Sequence, residues 1–359
     1  MFVAWRDLKF AKGRFVLMGT VIVLITLLVG LLSGLTAGLG RQNVSAITGL
    51  PADRIAFAAP SGGQDLSYAN SAVDETQWRR WAATPGVTSA EPLGITTTKA
   101  AAGDRSAGVS AFGVRPGSAL APDGELGEHS AVLSTTAAED LGVLPGDSLT
   151  LAGQQLTVAA VAGDAFFSHT PVVWTSLEVW RKIAPAGGDS PAATVIALST
   201  TSALDVTATD QAVGTKTVST DDSLSAIGSY TSENGSLQLM RGFLFAISAL
   251  VIGAFFTVWT IQRSGDIAVL KALGATTTGL LKDALGQAVV LLAGGTLIGT
   301  GLAAALGAVI SGSAVPFVLT PATMLVPAAV MILLGASGAA LSVRRITSVD
   351  PLTALGGVR

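Results

Sequence analysis

The chain has 359 residues, of which 50% are hydrophobic and 13% charged, with 42 glycines and no cysteine. This composition excludes a single soluble domain, and the polar middle of the chain excludes a membrane bundle throughout. The lack of cysteine excludes disulfides, thiol chemistry and cysteine-ligated clusters, and two histidines exclude a histidine-rich metal site.

Charge divides the chain into two parts. Residues 40–238 carry 10 Lys/Arg and 20 Asp/Glu, a net charge of −10, whereas the remainder carries 11 basic and 4 acidic residues, a net charge of +7. A basic membrane part and an acidic insert predict two compartments, and this distribution does not favour nucleic-acid binding.

The N-terminal residues predict an interfacial helix followed by a membrane span. Phe2, Trp5 and Leu8 recur every three residues opposite basic side chains, a pattern typical of a helix lying in the membrane interface. A long uncharged apolar run follows from residue 15, whereas a cleaved signal peptide has an apolar region of only about 7–15 residues. The basic flank before the run places the N-terminus in the cytoplasm.

Small residues line one face of this first span. Gly30, Gly34 and Gly38 lie four residues apart, and glycines at that spacing let helix backbones approach closely in lipid. We therefore expect this face to pack against another helix, either within the chain or across a homodimer.

The insert is rich in turn signals such as Pro-Gly and Gly-Gly pairs, which predict short elements. Helical patterns are expected at 72–84 and 175–184, and β-branched runs predict strands at 131–134, 148–151, 156–161, 171–174 and 193–198. The insert is therefore an α+β domain, and it lies outside the cell because it follows a span that runs outward.

Three further apolar runs complete the topology. The expected segments are an amphipathic helix at 1–14, spans at 15–39, 239–262, 285–310 and 322–343, the extracytoplasmic domain at 40–238, a cytoplasmic loop at 263–284, an outer loop at 311–321 and a cytoplasmic tail at 344–359. Lys and Arg fall on the short inner segments. The fold class is an α-helical membrane protein with four transmembrane helices (1+3) and an inserted extracytoplasmic α+β domain, located in the plasma membrane with both termini cytoplasmic.

The loop at 263–284 contains a short amphipathic helix. Ile267, Leu270 and Leu273 share one face, Asp266 lies in the first turn, and Gly274 ends the helix. Such a helix either rests on the membrane surface or is gripped by a soluble partner.

Signatures of catalysis are missing from the sequence. There is no Gly-x-x-x-x-Gly-Lys-Ser/Thr loop for ATP and no Gly-x-Ser-x-Gly elbow. His129 and His169 lie among turn residues, and we interpret both as structural or surface histidines. We expect no catalytic residue, no intrinsic cofactor and no metal beyond an iron that a bound ligand could carry.

Three stretches together resemble the MacB/FtsX-type superfamily of bacterial ABC permeases, which includes the macrolide exporter MacB, the lipoprotein-release permeases and the division protein FtsX. Asp-Ile-Ala-Val-Leu-Lys-Ala-Leu-Gly at 266–274 is similar to their coupling segment. Residues 130–163 are similar to the β module of their extracytoplasmic domain, and 345–355 to their C-terminal signature. The resemblance covers essentially the whole chain.

The resemblance implies a homodimeric permease whose two ATPase subunits are separate chains. ATP and Mg²⁺ would bind only to those subunits, whose closure would push on the coupling helix. The implied ATPase-coupling residues are Asp266, Ile267, Leu270, Lys271, Leu273 and Gly274.

Within the superfamily, the chain is most similar to the haem-exporter permeases (HrtB type), and haem is the implied cargo. Tyr230 would supply a phenolate to ferric iron, Glu233 a carboxylate and Met240 a thioether. Arg241 would pair with a propionate.

Two other functions stay open at this point. One is a MacB-like export of a different hydrophobic or amphipathic cargo. The other is an FtsX-like relay, in which the outer domain switches on a cell-wall hydrolase without transport.

Overall fold

The computed structural model describes residues 12–122, 126–184, 192–262, 265, 269, 274, 276–311 and 315–347. The chain divides into two compact units. Residues 1–39 and 236–359 form the first, here called the membrane unit, and residues 40–235 form the second, the inserted unit. The amphipathic helix expected at 1–14 lies mostly outside the described residues, and its last three residues belong to the first long helix.

Within the described residues, one long helix precedes the short elements of the insert and three long helices follow them. In chain order the elements are α1 (Lys12–Thr48), β1 (Arg54–Ala58), α2 (Glu75–Ala82), β2 (Val87–Ala102), β3 (Arg105–Val114), β4 (Ser130–Leu133), α3 (Thr135–Leu141), β5 (Ser148–Leu151), β6 (Gln154–Val161), β7 (Phe166–Phe167), β8 (Thr170–Ser176), α4 (Leu177–Ile183), β9 (Val195–Thr200), α5 (Val206–Val213), β10 (Thr215–Ser219), a 3₁₀ helix (Asp222–Ala226), α6 (Tyr230–Gln262), α7 (Thr277–Ile310) and α8 (Pro321–Thr347).

In the described part of the chain, four helices are long and apolar enough to cross a membrane. Within the described residues these candidate spans are Phe15–Thr48, Tyr230–Gln262, Lys282–Ile310 and Pro321–Leu341. One precedes the insert and three follow it, which confirms the expected 1+3 arrangement. Helix α6, the second candidate span, begins at Tyr230, nine residues before the span expected at 239. It starts earlier because its polar first turns also form helix, and Glu233 lies where the helix dipole favours an anion.

Small residues allow α1 and α7 to pack closely inside one chain. The successive pairs are Ile22 with Gly295, Thr26 with Gly299, and Gly30 with Ala303. A Cβ added at Gly299 would lie 2.7 Å from both the Thr26 side chain and the Val23 carbonyl oxygen, so no larger residue fits without a shift. The ridge that begins at Gly30 therefore supports helix packing within the chain, and a homodimer contact through it stays a prediction.

The segment between α7 and α8 fills the outer end of this ridge. A Cβ at Gly34 would lie 2.2 Å from the Phe317 ring, and one at Gly307 would lie 2.4 Å from it. Pro316 presents its carbonyl oxygen at Gly38, where a Cβ would lie 2.0 Å away, and the Val318 N–H donates to the Gly34 carbonyl at 3.1 Å. The ring thus occupies the space left by two facing glycines.

The helices of the membrane unit alternate in direction. The α1–α7 pairs ascend together along both helices, so these two are parallel. Phe15 at the start of α1 contacts Trp259 near the end of α6, with ring centroids 6.4 Å apart. Gly335 of α8 meets Leu292 of α7, and the short connection between them makes this pair antiparallel.

The inserted unit combines an open sheet with a closed barrel. The strand order is β10-β1-β9-β2-β3-β8-β4-β6-β5, and β5 pairs again with β2 through Ala100–Leu151 and Ala101–Thr150. Strands β2, β3, β8, β4, β6 and β5 therefore close a six-stranded barrel, which leaves no open edge in that part. These strands, with the short helices between them, confirm the expected α+β class.

Strand β2 belongs to both parts. Residues Val87–Leu93 pair with β9 in the sheet, and Gly94–Ala102 pair with β3 in the barrel. Trp180 covers the point of transition, because Gly94 and Gly113 are cross-strand partners and a Cβ on either would lie 2.2 or 2.3 Å from its side chain. The indole N–H donates to Thr96 Oγ1 at 3.1 Å, so this buried ring is also held by a hydrogen bond.

Aromatic side chains form much of the core of the inserted unit. Phe57, Tyr68, Phe167, Phe112 and Trp174 make a series of edge-to-face contacts with centroids 4.9–5.6 Å apart. The Tyr68 hydroxyl donates to Ser223 Oγ at 2.9 Å. Burial raises the pKa of Tyr68 well above its ordinary value.

Candidate functional site

The start of α6 carries two of the predicted ligand residues, and both belong to the inserted unit. The Tyr230 N–H donates to the Ile227 carbonyl and the Glu233 N–H to the Ser229 carbonyl, each at 3.0 Å. The first turn of α6 therefore follows closely after the 3₁₀ helix along the chain. Tyr230 packs partly buried against the aromatic core. The Glu233 side chain is 40% exposed.

A polar cluster forms around the Glu233 carboxylate. Its Oε2 accepts from Asn43 Nδ2 at 2.8 Å and lies 2.7 Å from His169 Nε2. Asn43 Nδ2 also lies 3.4 Å from Ser229 Oγ. One carboxylate oxygen is therefore bound to side chains from α1 and from the β7–β8 hairpin, which are distant in sequence.

Asn43 is the buried member of the cluster. It is 2% exposed, and its Oδ1 has no hydrogen-bond partner within the described part of the chain. A buried amide oxygen without a donor is uncommon and raises the free energy of the folded state. Asn43 thus has a buried polar atom, Oδ1, that none of its observed hydrogen bonds uses.

A tight turn brings His169 to Glu233. Ser168 and His169 connect β7 to β8 and have φ values of 49° and 64°, which are unusual for residues other than glycine. Their N–H groups donate to the carbonyl oxygens of Asn43 and Gln42, each at 2.9 Å. The hairpin tip is thereby fixed to the last turns of α1, with the imidazole directed at Glu233.

The other two predicted ligand residues belong to the membrane unit. Met240 is 49% exposed on α6. Arg241 is partly buried, and its Nε has no hydrogen-bond partner among the residues described. An unpaired guanidinium donor of this kind suits an anionic oxygen ligand such as a carboxylate or phosphate.

The structure joins Glu233 to a residue that the sequence interpretation did not select. The sequence alone indicates a structural or surface role for His169, and in the structure it forms the shortest side-chain contact to Glu233. No group of three or more His, Cys, Asp or Glu side chains that could hold a metal ion occurs in the described ranges. The contacts observed in the cluster are hydrogen bonds.

The predicted ATPase-coupling residues lie almost entirely outside the described residues. These are Asp266, Ile267, Leu270, Lys271 and Leu273. Gly274 is exposed with a φ of 94°, a backbone conformation that favours glycine and is common just after a helix end.

Comparison with protein families gives two matches that together cover nearly the whole chain. Residues 15–216, more than half of the chain, match the MacB-like periplasmic core domain, and residues 239–351 match the FtsX-like permease C-terminal family.

Individual relatives align from end to end. A protein of Staphylococcus haemolyticus named as a hemin transport system permease protein, HrtB, is 26% identical over 366 residues, covering 100% of both chains. A protein of Mycobacterium bovis named as an uncharacterized ABC transporter permease is 25% identical over 373 residues, covering 99% of both. Among solved structures, the periplasmic region of MacB from Actinobacillus actinomycetemcomitans aligns with a TM-score of 0.36 and 13% identity, covering 49% of this chain and 92% of that one.

Proposed function

Because this chain belongs to the family of MacB-like and FtsX-like ABC transporter permeases, we propose that it is the membrane subunit of an exporter that removes haem from the membrane. A separate ATPase subunit would supply the energy, since the sequence has no P-loop. We further propose that two copies of the chain act with two ATPase subunits.

The alternating helix directions support the proposed sidedness. A chain whose four spans alternate in direction has both ends on one side of the membrane. The basic residues before the first span favour the cytoplasm for that side. The inserted unit would then lie outside the cell, and the loop before α7 would face the ATPase.

The single observation that carries the haem proposal is the set of polar groups at the start of α6. Tyr230 and Glu233 present two oxygen donors that ferric iron accepts, and they stand three residues apart on one helix. The unpaired Nε of Arg241 offers a partner for a propionate. The name of the full-length Staphylococcus haemolyticus relative refers to the same class of cargo.

Titration of the purified chain with hemin tests this proposal. We expect a saturable shift of the Soret band that weakens about tenfold or more when Tyr230→Phe or Glu233→Gln removes a ligand, since losing one metal ligand or its support commonly costs that much. The matched control is Tyr68→Phe, because Tyr68 is the other tyrosine of the chain and is buried in the core.

The result also separates the alternatives. A wild-type chain without a saturable shift contradicts the haem proposal and favours export of a different cargo, or an FtsX-like relay. Equal weakening by Tyr230→Phe and Tyr68→Phe would remove the assignment of Tyr230 while leaving hemin binding itself intact.

Partner capture tests the coupling segment. Leu270→Asp places a charge on the apolar face shared with Ile267 and Leu273, and we expect loss of the co-purifying ATPase subunit without loss of membrane insertion. Val269→Asp is the matched control, because residue 269 lies about 100° away around the helix and is exposed. Unchanged capture by the Leu270 variant contradicts the proposed contact.

A further inference from the structure

The tip of the β7–β8 hairpin joins two helices inside the inserted unit. The N–H groups of Ser168 and His169 bind carbonyl oxygens of α1, and the His169 side chain binds Glu233 of α6. Asn43 completes the arrangement by donating to Glu233 directly. We propose that this tip is a latch, which is closed in the present structure and opens during each transport cycle.

The backbone of the tip favours opening. A two-residue hairpin turn with two positive φ values ordinarily uses Asn-Gly, and this chain has Ser-His instead. Side chains with a Cβ adopt that conformation only when surrounding contacts impose it. The contacts with α1 and α6 therefore hold the turn in its shape, and the turn relaxes when they are lost.

The side-chain contact of the tip, between His169 and Glu233, is also one that water readily replaces. The side chains of His169 and Glu233 are 35% and 40% exposed, and pairs exposed to this degree are only weakly stabilising. The base of the hairpin differs, because Phe166 and Phe167 are each only 6% exposed within the core. The tip can therefore leave the helices while the base of the hairpin stays in the core.

Both helices held by the latch continue into the membrane unit. Helix α1 runs from Lys12 to Thr48 and α6 from Tyr230 to Gln262, so each is one continuous helix that includes both a candidate span and a residue of the latch. A shift or rotation of either helix that moves Asn43 away from Glu233 breaks the shared hydrogen bonds. The inference rests on the proposed permease function, since the ATPase supplies that movement, and it does not depend on which cargo is carried.

A covalent bridge across the latch tests whether it opens. The chain has no cysteine, so Gln42→Cys and Ser168→Cys can be joined by a short bismaleimide in the full-length chain with its co-purified ATPase subunit. These positions spare His169, Asn43 and Glu233. We expect the bridged complex to hydrolyse ATP about tenfold more slowly than the same variant before bridging, because a two-state element held in one state cannot complete the cycle. Each single-cysteine variant treated with the reagent is the control.

The possible outcomes separate the latch from the proposed function. A bridged complex that hydrolyses ATP at the unbridged rate overturns the latch. A chain that captures no ATPase subunit at all contradicts the permease proposal before the bridge is tested, and it overturns the latch as well, since no motor would then drive it.

Weakening the latch should have the opposite effect to bridging it. His169→Asn keeps a residue that tolerates positive φ and removes the imidazole, and we expect ATP hydrolysis about threefold faster, as the loss of one partly exposed contact suggests. His129→Asn changes the other histidine, which is exposed elsewhere in the inserted unit, and should leave the rate unchanged. Equal rates for the two variants would overturn the proposal.

Discussion

Two aromatic rings cover pairs of glycines in this protein, one in each unit, and they differ in how firmly they are held. Trp180 of the inserted unit lies over Gly94 and Gly113, is 2% exposed and donates a hydrogen bond to Thr96. Phe317 of the membrane unit lies over Gly34 and Gly307 but is only partly buried and has no polar atom to anchor it. The same close contact is therefore held firmly in the inserted unit and less firmly in the membrane unit.

The largest effect is expected where the ring cannot move. Gly113→Ala places a methyl group 2.3 Å from Trp180, inside a strand that is paired on both sides. We expect the free energy of unfolding to fall by about 3 kcal/mol, the upper end of overpacking costs, because neither the ring nor the ladder can shift. Thermal unfolding of the purified chain measures this change.

Gly108→Ala is the matched control for that substitution. Gly108 lies on the same strand, and a Cβ there meets no atom within 4 Å. A loss of stability as large as that of Gly113→Ala would show that strand propensity is responsible instead of the Trp180 contact.

A smaller effect is expected in the membrane unit. Gly34→Ala would put a methyl group 2.2 Å from the Phe317 ring, but this ring is only partly buried, so we expect a loss of about 1 kcal/mol. Phe317→Ala should restore tolerance of Gly34→Ala, and the melting temperatures of the two single variants and the double variant measure the coupling.

The control for this cycle is Gly19→Ala on the same helix, where a Cβ meets nothing within 4 Å. Additive effects of Gly34→Ala and Phe317→Ala would contradict a direct contact between the two positions. Non-additivity above about 0.5 kcal/mol is the result expected for side chains in contact.

The smallest effect is expected at alkaline pH, where the buried, ionisable Tyr68 of the inserted unit can be compared with Phe317 of the membrane unit. Burial raises the pKa of Tyr68 above its ordinary value of 10.0, so the folded state keeps the proton that the unfolded state loses. This contribution of Tyr68 to the free energy of unfolding is fully present below pH 10 and is lost as the pH rises above it. In Tyr68→Phe this fall should be smaller, as shown by unfolding measured on either side of pH 10.

Phe317 provides the comparison, since it cannot ionise. Phe317→Leu should alter the melting temperature by the same amount at neutral and alkaline pH. An alkaline fall of equal size in the wild type and in Tyr68→Phe would contradict the assignment of that fall to Tyr68.

The sequence predicts the membrane part of the fold well and the insert only in part. Long apolar runs identify the spans because lipid requires about 20 apolar residues for a helix to cross. The β-branched strands near 131–134 and 193–198 were also expected, and the structure has strands at Ser130–Leu133 and Val195–Thr200. Strand β2 was not expected in full: its threonines at 96–98 favour a strand, but Lys99 and the alanines at 100–102 do not, and this end becomes a strand through pairing on both sides.

The candidate site shows where sequence reasoning stops. Glu233 could be selected because its position near a predicted span is visible along the chain. Its partner His169 lies 64 residues away, and its placement depends on a turn whose Ser-His sequence gives no hairpin signal. Asn43 likewise reads as a polar residue at a helix end until α6 is placed beside it. The roles of Tyr230, Met240 and Arg241 stay predictions.

Strand β2 has a consequence for the way the inserted unit responds to tension. Its 16 residues have a contour length of about 50 Å and take part in both the open sheet and the barrel. A pull on one half therefore reaches the other through the covalent bonds of a single strand, with no extensible tether between them. Under load the two halves should behave as one mechanical element that yields in a single step.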